Sequence, residues 1–315
     1  MRASVVIPSH NRPDLVVRTV RSAVSQTVPR SVFEVLVVDD GSTPPVTEAF
    51  RGGRLPEGVR ILRSEENVGR AAARNLGIRA ARGEVVIMLD DDIEVVPGLV
   101  AAHLEVHASN PRAVALGKIL VARELGRDPY HRYLDTRGVE KVRPGDVIPS
   151  RYFVTGNSSV PKAGMDEVGL FDESFSLYGG EDTDLGLRLG KAGYEFRYAG
   201  DAVGYHLDVV DIDRTCRRLA AYGREALPRM VARHPELKTE LALDILDPPR
   251  WGREAAVRSL RRALFQASLR PRVFRLARGL ARMGFLGKAL FPVYDYLRAY
   301  SYMTGYAEAV RGEDR

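Results

Sequence analysis

The chain has 315 residues, enough for one large domain with an appendage or for two modest domains. Its 45% hydrophobic and 28% charged residues are typical of a soluble globular protein, and no stretch approaches the roughly 20 consecutive apolar residues that span a bilayer. The single cysteine, Cys216, excludes an internal disulfide and a cysteine-based zinc site, so oxygen and imidazole ligands would have to hold any metal. The N-terminus shows no signal-peptide pattern, and we therefore expect a cytoplasmic protein.

The formal net charge of +6 is unevenly distributed along the chain. Residues 250–288 contain eleven Lys or Arg and one acid, Glu254, whereas acids outnumber bases in the rest of the chain. The basic character therefore belongs to a C-terminal segment, which has to be interpreted separately.

The first 120 residues alternate apolar, β-rich runs with amphipathic helical patterns. Strands are predicted at residues 3–9, 33–40, 59–65, 84–91 and 113–120, and helices at 13–26, 45–51, 69–81 and 97–108. Strands that are apolar on both faces and alternate with helices are typical of a mostly parallel sheet covered on both sides. The expected fold class is therefore α/β.

Polar clusters follow three of these strands: PSHNR after the first, DDGST after the second and DDD after the fourth. In parallel α/β sheets, ligands bind outside the carboxyl ends of the strands. The clusters therefore indicate a ligand site at this edge of the sheet.

The second half of the chain is less regular. After an irregular stretch over 121–152, the pattern predicts a strand hairpin, a loop, a helix over 181–192 and two short strands that end at His206. Two helices are predicted at 254–269 and 272–290, with apolar residues at helical spacing and most arginines on other faces. We expect these helices to pack through the apolar side and to leave a solvated basic face.

Three consecutive aspartates, Asp90, Asp91 and Asp92, end one of the apolar runs. On an extended chain the side chains of Asp90 and Asp92 face one site, and a hard cation such as Mg²⁺ or Mn²⁺ takes oxygen ligands of this kind. The cation would relieve the repulsion between the carboxylates. The alternative is a helix N-cap, where Asp is also favoured.

Two other motifs carry groups that suit a nucleotide. Asp39 or Asp40 in DDGST can accept a hydrogen bond from a base or a ribose, although Asp-Gly also suits a plain turn. Arg70 and Arg74 lie one helical turn apart in ENVGRAAARNLG, where they can meet a base or a diphosphate or remain solvated.

The segment YGGEDTDLGLRLGKAGY, residues 178–194, places tandem glycines before Glu181 and Asp182. Glycines let the backbone approach a ligand closely, and a carboxylate across a cleft from a phosphate ester can act as a general base towards a hydroxyl. His206 can ligate a divalent metal through its imidazole, although a lone histidine is more often structural.

The order of these motifs is more specific than any one of them. The series VVIPSHNR, VLVVDDGST, ENVGRAAARNLGIRAARGEVVIMLDDD, VTGNSSVPKAGMDEVGLFDESF and GGEDTDLGLRLGKAGY, followed by His206, resembles the inverting glycosyltransferases of family 2. The resemblance covers about residues 3–206 and implies a GT-A fold, in which a Rossmann-like, mostly parallel sheet is flanked by helices. It implies a catalytic domain over 1–210, with a nucleotide-sugar half up to 120 and an acceptor half from 121, and a basic helical region over 211–315.

The resemblance also implies a role for each matching residue. The nucleotide-sugar would contact Pro8, Ser9, Asn11, Arg12, Asp39, Asp40, Arg70, Arg74, Asp90 and Asp91. Mn²⁺ or Mg²⁺ would be held by Asp92 as the principal ligand, with Asp90 and His206. Asp182 would be the catalytic base with Glu181 in support, and Gly156, Asn157 and Gly180 would adjoin the donor and acceptor sugars.

Such an enzyme would move one sugar from a nucleotide-diphospho-sugar to an acceptor hydroxyl with inversion, building a glycan, a cell-surface polysaccharide or a glycosylated metabolite. The acceptor would be a carbohydrate, a lipid-linked glycan or a small molecule. Processive synthases of the family carry transmembrane helices and a Q-x-x-R-W motif, and the sequence has neither, so single transfers are expected. PSHNR departs from the commoner P-T-Y-N-R, which leaves the nucleoside contacts open.

Other protein classes share some of these features. A haloacid dehalogenase phosphatase needs Thr or Val where Glu94 stands, and a nucleotidyltransferase would show a glycine-rich loop where PSHNRPD stands. A non-catalytic assembly protein is the third alternative, although the few aromatics near its C-terminal arginines argue against nucleic acid binding. We expect residues 250–288 to pack on the catalytic domain or in a homodimer, and to contact anionic membrane where lipid-linked acceptors reside.

Overall fold

The structure, a computed structural model, describes residues 1–50, 54–126, 128–138, 146–175, 179–209, 211–247 and 256–313. Parts of the predictions above, at residues 51, 178 and 250–255, lie outside the described residues. The chain divides into two compact units. The first comprises residues 1–126, 134–176 and 181–209, and the second comprises residues 127–133, 177–180 and 210–315.

The described strands of the first unit form one nine-stranded sheet. They are β1 (Ala3–Ser9), β2 (Phe33–Asp40), β3 (Val59–Ser64), β4 (Val85–Leu89), β5 (Ile93–Val95), β6 (Ala113–Val121), β7 (Val147–Ile148), β8 (Asn157–Pro161) and β9 (Glu195–His206). Their spatial order is β3-β2-β1-β4-β8-β6-β9-β5, and β7 pairs with β9. The first four strands in this order are parallel, as are β6 and β9, whereas β8 is antiparallel to both of its neighbours.

Helices cover both faces of this sheet. They are α1 (Pro13–Val24), α2 (Val46–Ala49), α3 (Arg70–Ala80), α4 (Leu99–Ser109), α6 (Lys162–Val168) and α7 (Glu181–Lys191). Alternate strand residues enter opposite layers, so that Val5 packs in the cluster with α1 and α4 while Val6 packs in the cluster with α3 and α7. This two-sided burial explains why the central strands are apolar throughout and are recognisable in the sequence.

The second half of the first unit differs from the predicted elements. The predicted hairpin is wrong, because β8 pairs with β4 on one side and β6 on the other and is followed by helix α6. Both edges of β8 are therefore occupied by strands distant in sequence. The two short strands predicted before His206 form one 12-residue strand, β9.

The aspartate triplet also differs from its predicted extended conformation. β4 ends at Leu89, and the amide of Ile93 donates to the carbonyl oxygen of Asp90 over 3.3 Å, which closes a tight turn into β5. The three side chains therefore do not alternate as they would on a strand, and the turn sets their directions.

The described part of the second unit is helical. It contains α5 (Pro129–Leu134), α8 (Ile212–Arg233), α9 (Leu237–Glu240), α10 (Ala256–Ser268), α11 (Pro271–Ala281) and α12 (Phe291–Glu313). The helix predicted over 272–290 ends at Ala281, and a 3₁₀ segment follows over Gly284–Leu290, in which Gly287 has a φ of 54°. In the described chain, no helix combines the length and the apolar character needed to cross a membrane.

Helices α8 and α12 approach each other closely at two glycines. A Cβ atom at Gly223 would overlap the carbonyl oxygen of Tyr302, and one at Gly305 would overlap the carbonyl oxygen of Ala220. Because both obstacles are backbone atoms, neither can rotate away, and the two glycines fix the distance between these helices.

We predict that Gly223→Ala lowers the free energy of unfolding by about 1–3 kcal/mol, because the new methyl group forces the two helices apart. Urea unfolding followed by circular dichroism measures the loss. The matched control is Gly279→Ala on α11, where a Cβ atom would meet nothing within 4 Å. The control should raise the free energy of unfolding by about 0.5–1 kcal/mol through helix propensity, and equal effects of the two substitutions would contradict the proposed helix contact.

Candidate active site

Polar residues at the ends of three adjacent strands meet at one edge of the sheet. β1 lies between β2 and β4 and is parallel to both, which brings Ser9 beside the aspartate turn. The hydroxyl of Ser9 donates to Oδ2 of Asp91 over 2.7 Å, and the hydroxyl of Thr19 donates to the carbonyl oxygen of Asp91 over 2.8 Å. Asp91 therefore ties the turn to β1 and α1.

The DDGST turn is ordered by its first carboxylate. Asp39 is fully buried, and its two oxygens accept the amides of Ser42 and Val46 over 2.9 and 3.0 Å as well as the guanidinium of Arg63. Although burial acts in the opposite direction, these hydrogen bonds hold the pKa of Asp39 below its usual range. The contacts of Asp39 are those of a structural group that holds the turn.

Asp40 joins the end of β1 to the loop before α3. Its carboxylate accepts the amides of residues 68 and 69 over 2.7 and 3.2 Å, and its carbonyl oxygen lies 2.6 Å from Nδ1 of His10. Asn11, beside it, has a φ of 53° and accepts the amide of Thr43 over 2.8 Å. His10 was not among the predicted site residues, because nothing but its position inside PSHNR pointed to it.

Arg12 lies against the second and third aspartates. Its Nη1 atom is 2.5 Å from Oδ2 of Asp92 and 3.6 Å from Oδ1 of Asp91, and its Nη2 atom is 2.8 Å from Oδ2 of Asp208. Burial disfavours the charge of Arg12, but the three carboxylates outweigh it and raise the pKa of Arg12. Asp208 is a second residue that sequence reasoning missed, since it belongs to none of the motifs.

The pairing of β5 with β9 brings the two halves of the predicted metal site together. Ile93 is the register partner of His206, which places Nε2 of His206 3.8 Å from Oδ1 of Asp92. The amide of Leu207 also donates to the carbonyl oxygen of Asp92 over 2.8 Å. Burial raises the pKa of Asp92, while His206 opposes that rise and Asp90 adds to it.

The donor set suits a divalent cation that takes few protein ligands. Within the described residues, no three His, Cys, Asp or Glu side chains form a preformed metal-binding group. Asp92 and His206 nevertheless offer oxygen and imidazole donors, and burial with its two aspartate neighbours raises the pKa of Asp91 to about 7. This crowding of negative charge is what a cation would relieve, and Mg²⁺ or Mn²⁺ completes its shell with water and phosphate oxygens.

Arg74 is the buried cation that links the aspartate turn to α7. Its Nη2 atom lies 3.0 Å from Oδ1 of Asp90, and its Nη1 atom lies 3.2 Å from Oε1 of Glu181 and 3.6 Å from Oδ1 of Asp182. Burial disfavours its charge, yet the carboxylates raise the pKa of Arg74 above its usual range. Its Nε atom and Oε2 of Glu181 are buried without a hydrogen-bond partner in the structure.

Asp182, the predicted base, is the second residue of α7, and about a quarter of its side chain is exposed. It accepts hydrogen bonds from the amide of Thr155 over 3.3 Å and from its hydroxyl over 3.1 Å. Burial and then Glu181 raise the pKa of Asp182, whereas Arg74 opposes the rise. An accessible carboxylate with a raised pKa has the properties of a general base that works near neutral pH.

The remaining predicted residues lie on several different elements. Gly156 lies beside the turn, since a Cβ atom there would be 3.2 Å from Oδ2 of Asp90, and Gly180, with a φ of 103°, directly precedes α7. Pro8 precedes Ser9 in β1, whereas Arg70 is exposed at the first position of α3.

Asn157 is placed differently from the predicted sugar contact. It is fully buried, donates from Nδ2 to the carbonyl oxygens of Lys118 and Ala202 over 3.1 and 2.7 Å, and has Oδ1 2.9 Å from Nε2 of His103. Burial lowers the pKa of His103 to about 4, so the imidazole is neutral and donates to this oxygen. All polar atoms of Asn157 are thereby used inside the sheet, and its side chain fixes the strands around it.

Comparison with protein families identifies the region that holds the site. The family model described as Glycosyl transferase family 2 matches residues 4–167, just over half of the chain. A second model, described as the N-terminal domain of galactosyltransferase, matches residues 141–209. The two matches together cover residues 4–209, which include all of the strands named above except the first residue of β1.

The chain is also similar in sequence to named glycosyltransferases. An uncharacterized glycosyltransferase, YfnE, of Bacillus subtilis (strain 168) is 29% identical in an alignment of length 254 that covers 65% of this chain and 64% of that protein. Validoxylamine A glucosyltransferase of Streptomyces hygroscopicus subsp. jinggangensis is 29% identical in an alignment of length 269 that covers 76% of this chain and 62% of that protein. The chain thus matches less than two thirds of the length of each of these relatives.

Solved structures share the fold of the chain. The mannosyltransferase PcManGT of Pyrobaculum calidifontis, in complex with GDP-Man and Mn²⁺, superposes with a TM-score of 0.57 and 16% identity over 99% of this chain and 88% of that one. Residues 1–349 of TarS of S. aureus, in complex with UDP, superpose with a TM-score of 0.55 and 18% identity over 99% of this chain and 92% of that one. The expected GT-A fold is confirmed.

We predict that Arg74→Gln destabilises the protein by about 3–5 kcal/mol at pH 7, because it leaves buried carboxylates without their cation. The loss should shrink as the pH falls, since protonation neutralises the same carboxylates. Urea unfolding between pH 5 and pH 8 would measure both effects. The control is Arg18→Gln, which removes two ion pairs, to Glu94 and Glu124, from a side chain that is 41% exposed. If the loss for Arg74→Gln were as small and as independent of pH as the loss for Arg18→Gln, Arg74 would not be the cation that compensates these buried carboxylates.

Proposed function

The chain belongs to glycosyl transferase family 2, and on this premise we propose that it is a metal-dependent, inverting glycosyltransferase. It moves one sugar from a nucleotide-diphospho-sugar to a hydroxyl group of an acceptor. One observation carries the proposal: Arg74 contacts Asp90 on one side and Glu181 and Asp182 on the other. Arg74, which would contact the diphosphate, and Asp182, which would activate the acceptor, thus lie at one site.

The donor is a nucleoside diphosphate joined to a sugar. The similar structures contain GDP-Man with Mn²⁺ in one protein and UDP in another, so both ligands have the diphosphate in common. In this chain the nucleoside would lie by His10, Asn11 and Asp40, near the ends of β1 and β2. Arg12 and Arg74 supply positive charge towards the diphosphate, and Arg-phosphate contacts favour a planar, forked donor of this type.

The cation would be held by Asp92 and His206, with Asp90 close by. When bound, it supplies positive charge that stabilises the diphosphate as a leaving group. In the present structure Arg12 contacts the same carboxylate, 2.5 Å from Oδ2 of Asp92. Asp208, which also contacts Arg12, offers the guanidinium an alternative partner when Asp92 binds a metal.

Asp182 acts as the base in the transfer. Its carboxylate removes the proton of the acceptor hydroxyl, and the oxygen attacks the anomeric carbon from the face opposite the diphosphate. The bond between that carbon and the diphosphate oxygen breaks, its electron pair leaves with the nucleoside diphosphate, and the configuration inverts. Thr155 orients the carboxylate through two hydrogen bonds, and Arg74 limits the rise of its pKa.

We propose that the chain catalyses single transfers in the cytoplasm. The products are glycans, cell-surface polysaccharides or glycosylated metabolites, according to whether the acceptor is a carbohydrate, a lipid-linked glycan or a small molecule. A thermal-shift screen of nucleoside diphosphates and their sugars with Mn²⁺ would identify the base first and the sugar second.

We predict that Asp92→Ala abolishes Mn²⁺-dependent binding of the nucleotide-diphospho-sugar that the screen identifies. Isothermal titration calorimetry with and without Mn²⁺ measures this loss directly and does not depend on catalysis. Asp201→Asn is the control, because Asp201 is exposed on β9 and lies outside the site. If Asp92→Ala kept the Mn²⁺-dependent part of the affinity, the assignment of the principal ligand would be wrong.

We predict that Asp182→Asn leaves donor binding within about twofold of the parent but lowers kcat by about 10²–10⁴-fold, as expected when a general base is lost. In the parent enzyme kcat should increase as the pH rises through the raised pKa of Asp182, because only the ionised carboxylate accepts a proton. Rates measured from pH 5 to pH 9 give this profile. Retention of most activity in Asp182→Asn would require another base.

A further inference from the structure

Helix α11 leaves part of its apolar side exposed. Its buried residues are the small Ala277 and Ala281, and Phe274 stacks on Tyr300 of α12 with ring centroids 4.4 Å apart. The side chain of Leu276, by contrast, is 67% exposed. The helix packs through the side that carries Phe274, Ala277 and Ala281, and the predicted packing through Leu276 is therefore wrong.

The exposed stripe continues beyond the helix. Val273 and Leu276 are exposed three residues apart on α11, and beyond the end of the helix Met283 is 44% exposed and Phe285, in the following 3₁₀ segment, is 85% exposed. On α10, Leu260 and Leu264 are likewise more than half exposed, at a spacing of four. Of fifteen large apolar residues exposed in the described chain, seven lie between residues 260 and 286, so they are not scattered singly.

Cations flank this stripe. Arg272 and Arg275 are exposed and, at helical spacing, lie along one side of Leu276. Arg278 and Arg282 differ, because they pair with Asp213 of α8 at 2.6 and 2.9 Å. The prediction of a uniformly solvated basic face is corrected accordingly: two arginines anchor α11 inside its unit, and two accompany the apolar stripe.

We propose that α11 and the following 3₁₀ segment form a docking surface for the headgroup region of an anionic lipid bilayer. The apolar side chains enter the boundary of the acyl chains, while Arg272 and Arg275 contact lipid phosphates, as in helices that lie in the plane of an interface. Charge favours this occupant over a second copy of the chain. A two-fold contact centred on this surface would bring Arg272 and Arg275 of both copies into one interface, whereas anionic headgroups neutralise them.

This docking surface is independent of the proposed transferase activity. Donor binding belongs to the first unit, and all residues of the docking surface belong to the second. A variant that loses vesicle binding but keeps donor binding therefore supports the docking surface alone, and failure of the transferase assignment leaves it untouched.

A fluorescent label at the centre of the surface tests the proposal. Phe285→Cys can be labelled selectively with an environment-sensitive dye, because Cys216, the natural cysteine, is buried. Vesicles of phosphatidylglycerol and phosphatidylcholine should shift the emission to the blue, and pure phosphatidylcholine should do so far less. The control label at Arg82→Cys, an exposed position of the first unit, should not shift. Equal shifts at both positions, or none at Phe285→Cys, would overturn the proposal.

Substitutions separate the apolar and the charged contributions in vesicle co-sedimentation. Leu276→Gln should weaken binding by about tenfold or more, whereas Val147→Gln, with 59% exposure on β7, should leave it unchanged. The double variant Arg272→Gln, Arg275→Gln should also weaken binding by about tenfold or more at low salt. The control double variant Arg21→Gln, Arg82→Gln should leave binding unchanged. Unchanged vesicle binding in all of these variants would contradict the proposal. So would a dimer in vesicle-free solution that Leu276→Gln dissociates, since the occupant would then be a second copy.

Discussion

The architecture of the site depends on one buried cation. Arg74 of α3 contacts carboxylates from two distant parts of the chain, Asp90 in the turn after β4 and Glu181 at the start of α7. A guanidinium buried to this degree is tolerated only when carboxylates compensate its desolvation, and the carboxylates need it for the same reason. The mutual requirement holds the start of α7, with Glu181 and Asp182, beside the aspartate turn after β4.

Negative charge at this edge exceeds what the described arginines neutralise. Asp90, Asp91, Asp92, Glu181, Asp182 and Asp208 face Arg12 and Arg74, and burial raises the pKa of three of these acids. Such an imbalance costs folding free energy, and a protein retains it where a ligand supplies the missing positive charge. The proposed cation, and the arginines released from their carboxylates when it binds, would meet the diphosphate. The same electrostatic repulsion that raises the pKa values of these acids is what the proposed cation would relieve.

The second unit solves a different packing problem. The helix contacts of the second unit are formed by small residues, which allow the backbones to approach closely. These residues are Gly223 and Gly305 between α8 and α12, and Ala277 and Ala281 on α11. Leu276 of α11 is left exposed, next to the exposed Arg272 and Arg275. Amphipathicity alone does not tell which of two apolar faces of a helix is buried, because side-chain size and the available partner decide it.

The sequence by itself determined the central strands, most helices of the first unit and the clustering of polar residues at the strand ends. These features follow from local patterns: strands buried on both faces must be apolar throughout, and polar clusters must interrupt them where the strands stop. The ordered motifs also indicated the family and named Asp92, His206 and Asp182. Only the tertiary structure decided that β5 pairs with β9 to bring His206 to Asp92, that the triplet is a turn, and that Asn157 is used inside the sheet. It alone decided the contacts of Arg12 with Asp208 and the exposed face of α11. Each of these depends on which distant segments become neighbours, and periodicity along the chain carries no information about the partner across the sheet or across a helix contact.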